Sequence, residues 1–151
     1  MEQAAAKVYF TDARPYNLDA KARLSLPSDF RKQLGDKVVL VALFDSVYGF
    51  TPEGHEAWLD RLFADEDVDR DQSARNFMLW IMGQTKTVDV DSAGRISLAK
   101  ISEADRERLN LGKSVMVVGN RDHFEIWSAD EWKKTMSDHS IDEFQSFMFR
   151  K

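Results

Sequence analysis

The sequence predicts an α+β fold built from two tandem copies of one module, related by a pseudo-two-fold axis and flanked by helices. The first observation is a nine-residue repeat, because Leu18–Leu26 and Val90–Leu98 share Asp, Arg, Ser and Leu at equivalent positions. The second is that each copy is followed by a short helical stretch, a β-branched run and another helix. A long repeat that occurs only twice favours two parts of one body rather than a solenoid.

The strands of each module are predicted from short apolar stretches around the repeat. Lys7–Phe10 has strand-like residues, and Pro15 favours extended structure before Leu18. In each copy, three small or flexible residues separate Asp from Arg, which indicates a strand, a tight turn and a second strand. The β-branched runs Val38–Val41 and Val115–Val118 are predicted to continue the sheet.

The helices are predicted from the residues that begin and end them. Ser28 or Pro27 begins a helix that Gly35 can end, and Ser102 begins its counterpart, which we expect to end near Gly112. Further helix starts are predicted at Thr51, Ser128 and Ser140. Residues 73–82, which are followed by Gly83, are predicted as a helix, although an interior strand fits part of this segment.

These elements divide the chain into four predicted parts. They are the first module with its helix (7–64), an acidic connector and helix (65–83), the second module with its helix (84–136) and an amphipathic tail (137–151). In the tail, Phe144, Phe147 and Met148 share one helical face. We expect this face to pack on a neighbouring protomer or on the strands of its own chain.

Charge is distributed unevenly along the chain, whose net charge is −5. Residues 51–75 contain eight acidic residues against three arginines, so this region accounts for the imbalance. Residues 7–37 contain seven Lys or Arg against four Asp. Because the distribution of charge matters more than its sum, a basic edge on the first module is compatible with nucleic acid.

Composition also argues against several classes of protein. The chain has no cysteine, which excludes disulfides and thiolate metal sites and favours a reducing cytosol. No apolar run approaches the ~20 residues of a membrane-spanning helix, and the N-terminus lacks a signal-peptide pattern. We therefore expect a cytoplasmic protein without a membrane partner.

The repeated Asp-x-x-x-Arg motif, Asp19 to Arg23 and Asp91 to Arg95, carries the candidate chemistry. An Asp beside a tight turn can accept backbone N–H groups, and an Arg four residues later can reach the same carboxylate. A guanidinium held in this way suits a phosphate or a base edge. The residues alone leave two interpretations open, a structural ion pair, which is the more common role, and a DNA contact.

Three stretches, Leu18–Pro27, Asp91–Arg95 and Val117–Trp127 followed by Trp132, are together similar to the MraZ family. That family comprises bacterial transcriptional regulators of the division and cell-wall gene cluster. The resemblance implies two AbrB-like (SpoVT-AbrB) β-barrel modules and a ring-shaped homo-oligomer in the cytoplasm, associated with the nucleoid. It also implies that the Asp-x-x-x-Arg surfaces face short repeats in double-stranded promoter DNA.

The resemblance assigns roles residue by residue. Asp19 and Arg23 match the first family motif, and Asp91 and Arg95 match the second. We expect Arg23 and Lys21 to contact DNA first and Arg95 next, because Ala93 provides no charge beside Arg95. Arg14 and Arg31 are further candidates for phosphate contacts, although solvated surface arginines are more common.

The first turn departs from the family pattern. Ala22 stands where the family usually has glycine. An alanine with positive φ would cost about 1 kcal/mol, so this substitution bears on the turn type or on DNA affinity.

Two other function classes are weighed against DNA binding. A protein-interaction scaffold would dock partners through the acidic helical face of residues 51–75. An enzyme acting through Asp and Arg would need a pocket that joins them. His55, His123 and His139 lack the spacing of metal ligands, and phosphate-binding loops and Ser/His/Asp patterns are missing. We expect no enzymatic activity, metal, cofactor or small-molecule substrate.

Overall fold

The computed structural model describes residues 7–150. The strands are β1 (Ala13–Asn17), β2 (Arg23–Ser25), β3 (Lys37–Ala42), β4 (Val47–Phe50), β5 (Thr85–Asp89), β6 (Arg95–Ser97), β7 (Ser114–Asn120) and β8 (His123–Ser128). The helices are α1 (Ser28–Leu34), α2 (Pro52–Leu62), α3 (Gln72–Gly83), α4 (Glu103–Arg108), α5 (Ala129–Ser137) and α6 (Ile141–Phe149). A short 3-10 turn, Leu98–Lys100, follows β6.

Six strands form one antiparallel sheet in the order β1-β7-β8-β4-β3-β5. Exchange of the two repeated units converts β1 into β5, β7 into β3 and β8 into β4, so the strand order is the same when read from either edge. The register of the equivalent strand pairs is also the same. Ala13 pairs with Val118 between β1 and β7, and the equivalent Thr85 pairs with Val41 between β5 and β3. The α+β class and the two repeated units are confirmed. Because the first strand of each unit pairs with the other unit, the two units interlock.

The remaining strands, β2 and β6, pair with each other in a separate two-stranded sheet, which we call the β2–β6 ribbon. The ribbon lies between the sheet edges, where β2 contacts β1 and β6 contacts β5. Within residues 7–150 the six-stranded sheet is not closed into a barrel by hydrogen bonds, since β1 and β5 do not pair. The strands on either side of each Asp-x-x-x-Arg turn therefore pair with other strands and not with each other.

The strand predicted at Lys7–Phe10 is wrong in position. Phe10 makes a single bridge to Arg121, with backbone N···O distances of 2.8 and 2.9 Å. Asp12 then adopts a positive φ of 81°, so the chain turns before β1 begins. Pro15 is tolerated in β1 because an edge strand has one side without ladder partners.

The core has two parts because β3 is buried on both faces. Val38 and Leu40 point towards the first cluster, whereas Val39 and Val41 point towards the second. In the first cluster, the rings of Phe10, Phe30 and Phe124 have centroids 5.0–5.7 Å apart. Helices α2 and α3 cover the second cluster. The same cluster includes Leu24 and Ile96, so the buried face of the ribbon packs with α1 and the sheet.

Side-chain caps start the helices largely as predicted. The hydroxyl groups of the N-cap residues accept backbone N–H groups of the first turn at Thr51, Ser102, Ser128 and Ser140. The predicted end of α4 near Gly112 is wrong, because Asn110 adopts a positive φ of 56° and Leu111 N–H donates to the Arg106 carbonyl. Asparagine takes the place that glycine usually holds after a helix.

The apolar face of α6 does not pack on the strands of its own chain. Phe144, Phe147 and Met148 are 50%, 63% and 77% exposed. The prediction that the tail packs on the strands of its own chain is therefore wrong. Packing on a neighbouring protomer stays a prediction. In the part of the chain described, neither α6 nor another helix combines the length and apolar character needed to cross a membrane.

Candidate nucleic-acid interface

The first repeated motif forms a tight turn that is held by the Asp19 carboxylate. Oδ1 accepts the backbone N–H groups of Lys21 and Arg23, each at 2.9 Å. Oδ2 accepts a hydrogen bond from Nε–H of the Arg23 side chain, with an N···O distance of 2.7 Å. The Ala22 N–H donates to the Asp19 carbonyl at 3.0 Å and closes a β-turn. Asp is suited to this position because its short side chain reaches the following backbone amides.

The second motif repeats the same hydrogen bonds around Asp91. Oδ1 accepts the N–H groups of Ala93 and Arg95, and Oδ2 accepts Nε of Arg95, all at 2.9 Å. The Gly94 N–H donates to the Asp91 carbonyl, also at 2.9 Å. Two distant segments with the same sequence pattern therefore form the same turn, as the repeat predicted.

These hydrogen bonds stabilise the ionised carboxylates. The hydrogen bond from the Arg23 backbone N–H holds the pKa of Asp19 below its ordinary value. Partial desolvation opposes this effect, and the hydrogen bond from the Arg23 side chain adds to it. Arg95 lowers the pKa of Asp91 in the same way. Because the folded-state pKa values are lowered, this stabilisation is present above the ordinary pKa of aspartate and is lost as the pH falls through the lowered values. Both turns are consequently held together at neutral pH.

Both motif arginines lie on one face of the β2–β6 ribbon. Each lies opposite a serine of the other strand, which makes Arg23 and Arg95 diagonal neighbours. Side chains alternate between the faces of a strand, and the intervening Leu24 and Ile96 are fully buried on the other face. The two arginines therefore point away from the core, about 7–8 Å apart at the backbone.

Each turn is fixed in place by the opposite unit. The Leu26 N–H donates to the Gly94 carbonyl at 3.0 Å, and the Leu98 N–H donates to the Ala22 carbonyl at 2.9 Å. The relative position of the two turns is thus set by backbone hydrogen bonds. A ligand that contacts both turns meets a preorganised surface.

Each motif guanidinium keeps its outer nitrogens available. The Arg23 and Arg95 side chains are 31% and 32% exposed. Within residues 7–150, Nε of each bonds the carboxylate of its own turn, and Nη1 and Nη2 have no hydrogen-bond partner. An arginine oriented in this way can donate to a phosphate oxygen or to the edge of guanine.

A further cation, Arg31 of α1, lies over the second turn. Its side chain packs so closely on Gly94 that a Cβ atom at position 94 would overlap Cδ, Cζ and Nη1 of Arg31. Lys21 of the first turn corresponds to Ala93, so Arg31 supplies the positive charge that the second motif lacks. From sequence, Arg31 is more simply an ordinary surface charge, because no local signal shows that α1 lies against the second motif.

Arg14 lies outside the ribbon and is engaged by acidic residues. Its Nη2 donates to both carboxylate oxygens of Asp29 at 2.9 and 2.8 Å, and its Nε lies 3.0 Å from Oδ2 of Asp12. The hydrogen bond to Asp29 raises the pKa of Arg14. Its guanidinium also lies over the Phe30 ring, 5.5 Å from the centroid. Because two carboxylates already offset its charge, a phosphate contact by Arg14 is less favoured than one by Arg23 and stays a prediction.

The pockets described in residues 7–150 do not join the motif residues. A pocket of about 600 Å³ is lined by residues of α4 and the start of α5, including Glu103, Arg106 and Asp130. Pockets of about 450 to 560 Å³ are likewise lined by residues other than the motif aspartates and arginines. The pocket that an Asp–Arg enzyme would need is not among them.

Both repeated units match one protein family. The family model described as "MraZ protein, putative antitoxin-like" matches residues 9–77 and 81–147. The chain belongs to the MraZ family. Each matched segment contains one Asp-x-x-x-Arg turn, and the resemblance predicted from the motifs is confirmed.

Three proteins named Transcriptional regulator MraZ are similar to this MraZ family member over most of its length. That of Corynebacterium urealyticum is 35% identical over 126 residues, which cover 83% of this chain and 85% of that protein. That of Ligilactobacillus salivarius is 34% identical over 119 residues, covering 78% and 80%. That of Caldicellulosiruptor saccharolyticus is 32% identical over 125 residues, covering 82% and 84%.

The two turns of this MraZ family member differ at the residue with positive φ. Ala22 has φ 58° and Gly94 has φ 77°. We expect Gly94→Ala to lower the free energy of unfolding by roughly 1–2 kcal/mol, because alanine is strained at positive φ. The flexible Arg31 side chain would also have to move away from position 94. Denaturant unfolding monitored by circular dichroism measures this change.

The matched control for Gly94→Ala is the reverse exchange in the first turn, Ala22→Gly. Relief of the left-handed strain is offset by the greater flexibility of glycine in the unfolded chain, so we expect a change within about 1 kcal/mol. Unfolding midpoints that coincide for wild type and Gly94→Ala would contradict the strain expected for alanine at the positive φ of position 94.

Proposed function

We propose that this chain is a sequence-specific transcriptional regulator that binds double-stranded DNA through the outer face of the β2–β6 ribbon. One observation carries the proposal: Arg23 and Arg95 are fixed by identical turns on one exposed face, with their outer nitrogens available. The relatives named Transcriptional regulator MraZ support a regulatory role. From membership of the MraZ family we also infer that its targets are short promoter repeats of the division and cell-wall gene cluster. The protein would act in the cytoplasm, at the nucleoid.

In this proposal the residues on the ribbon and around its two turns have distinct roles. Arg23 and Arg95 contact base edges or phosphates, while Asp19 and Asp91 orient them. Lys21 and Arg31 each place a positive charge beside one of the turns and contact phosphates, which adds affinity without sequence information. The two turns are thereby equivalent in charge although their sequences differ at Lys21 and Ala93.

Self-assembly is part of the proposed mechanism. The phosphate contribution to affinity grows with the number of charges neutralised, and one copy presents few cations on the ribbon. A ring-shaped homo-oligomer places many ribbons side by side, so that neighbouring DNA repeats are bound at high effective concentration. The apolar face of α6, exposed in the single chain, is available for contacts between copies.

Selection of bound sequences from random double-stranded DNA tests the function. We expect the purified protein to enrich short repeated elements. Binding to an enriched site should weaken with salt, with a slope of log K against log salt on the order of −3 to −4 per bound protomer if four cations contact phosphates. Recovery of unenriched DNA, or binding that is insensitive to salt, would overturn the proposal and favour the scaffold alternative that docks through residues 51–75.

A further inference from the structure

Helix α6 presents an apolar face that residues 7–150 of its own chain leave uncovered. Ile141, Phe144, Phe147 and Met148 are 80%, 50%, 63% and 77% exposed. The helix is nevertheless well formed, because the Ser140 side chain caps its N-terminus. An exposed patch of this kind on a well-formed helix marks an interaction surface.

A groove between α2 and α3 is a second apolar surface in the same chain. The groove has a volume of about 470 Å³, and its floor includes Leu62, Phe63 and Phe77. Glu66 and Asp71 form an acidic rim. The apolar surface continues beyond the groove, since the Phe77 ring stacks on Trp80 at 6.2 Å and Trp80 stacks on Phe44 at 5.4 Å.

We propose that α6 of one copy binds in the α2–α3 groove of the next copy. The inference rests on the proposed self-assembly and names the surfaces that carry it. An amphipathic helix that places residues i, i+3 and i+4 in an apolar groove is a recurrent mode of recognition, and Phe144, Phe147 and Met148 have that spacing. The acidic rim excludes DNA as the occupant, since like charges repel.

Charge complementarity sets the direction of the bound helix. The C-terminal end of α6 carries Arg150, whereas Asp142 and Glu143 lie in its first turn. Placing the C-terminal end against the acidic rim pairs Arg150 with Glu66 and Asp71 and keeps the acidic first turn of α6 away from the rim. The contact joins two different surfaces of the chain, so each copy can bind one neighbour with α6 and another with its groove, and such contacts close into a ring when the rotation permits.

Site-directed cross-linking tests this contact in the full chain. The natural sequence has no cysteine, so the double variant Leu62→Cys/Met148→Cys contains the only two thiols. With a short bismaleimide we expect dimers and higher multimers on denaturing gels. The matched control is Tyr9→Cys/Met148→Cys, in which Tyr9 is 66% exposed but lies outside the groove. Equal multimer yields from the two variants would overturn the proposal.

Charge reversal gives a second and independent readout. We expect Arg150→Glu and Glu66→Lys each to weaken self-association about tenfold or more, and the combined variant to restore it. Light scattering after size-exclusion chromatography measures the masses. If the wild type is oligomeric and neither single reversal changes its mass, the α6–groove contact is wrong and assembly uses other surfaces. A wild type that is monomeric at all concentrations overturns both this contact and the proposed assembly.

Discussion

Replacing both Arg23 and Arg95 with alanine is expected to weaken binding to a selected DNA site by about 100-fold or more. Each arginine that contacts a base edge is worth about 1–3 kcal/mol, and every 1.4 kcal/mol is a factor of about ten in affinity. Both guanidinium groups lie on one face of the ribbon, and no group in the described part of the chain bonds their outer nitrogens, so both contacts are lost together. Gel-shift titration at constant moderate salt measures the effect.

The fold of the Arg23→Ala/Arg95→Ala variant should survive. Each arginine forms a partly exposed ion pair with the aspartate of its own turn, and such pairs contribute about 0–1 kcal/mol. The backbone bonds to Asp19 and Asp91 do not depend on the arginine side chains. Thermal unfolding and oligomer mass should therefore stay close to those of the wild type.

Arg70→Ala is the matched control for the loss of a positive charge. The Arg70 side chain is 90% exposed and belongs to the acidic region, away from the ribbon. We expect its DNA affinity to equal that of the wild type. The proposed interface is wrong if the double ribbon variant binds as tightly as Arg70→Ala.

The largest expected loss of stability comes from Gly119→Ala. A Cβ atom at position 119 would overlap backbone atoms of Phe10 and Thr11, which cross directly over this part of β7. Backbone atoms cannot rotate away as a side chain can, so Phe10 would have to leave its place among the core aromatic rings. We expect a loss of roughly 3 kcal/mol or more, the upper end of overpacking effects.

Calorimetry of Gly119→Ala should show a midpoint roughly 6–12 °C below that of the wild type, given the usual relation for a chain of this size. Gly83→Ala is the control, since among residues 7–150 no heavy atom beyond its chain neighbours and the backbone of its own helix lies within 4 Å of a Cβ atom there, and the residue ends α3. Alanine in a helix is favoured over glycine by roughly 0.5–1 kcal/mol, so Gly83→Ala should be neutral or slightly stabilising. Equal midpoints for the two variants would show that the Phe10–Thr11 segment does not lie against Gly119.

Local features of the candidate site could be predicted from sequence. The Asp-x-x-x-Arg turns form as expected because their hydrogen bonds join residues no more than four apart, so the side chain that makes the bond and the amide that donates it are encoded together. The capped helix starts at Thr51, Ser102, Ser128 and Ser140 were predictable for the same reason.

Features that join distant segments could not be predicted in this way. Arg31 lies over Gly94 because α1 of the first unit packs beside the turn of the second. The strand predicted at Lys7–Phe10 is misplaced for the same reason. Phe10 bonds to Arg121, which is distant in sequence, and the chain then turns at Asp12 before β1 begins. These contacts depend on where the rest of the chain lies, and no short window of sequence contains both partners.

The sequence by itself determined the duplicated turn, the arginine that each turn orients, most of the helix starts and the membership of the MraZ family. Only the tertiary structure decided that β2 pairs with β6, which places Arg23 and Arg95 on the same face, and that the α6 face stays exposed. The physical reason is the range of the interactions. The hydrogen bonds of a turn or a helix cap join residues that are close in sequence. Strand pairing and the covering of an apolar face depend on the whole folded chain.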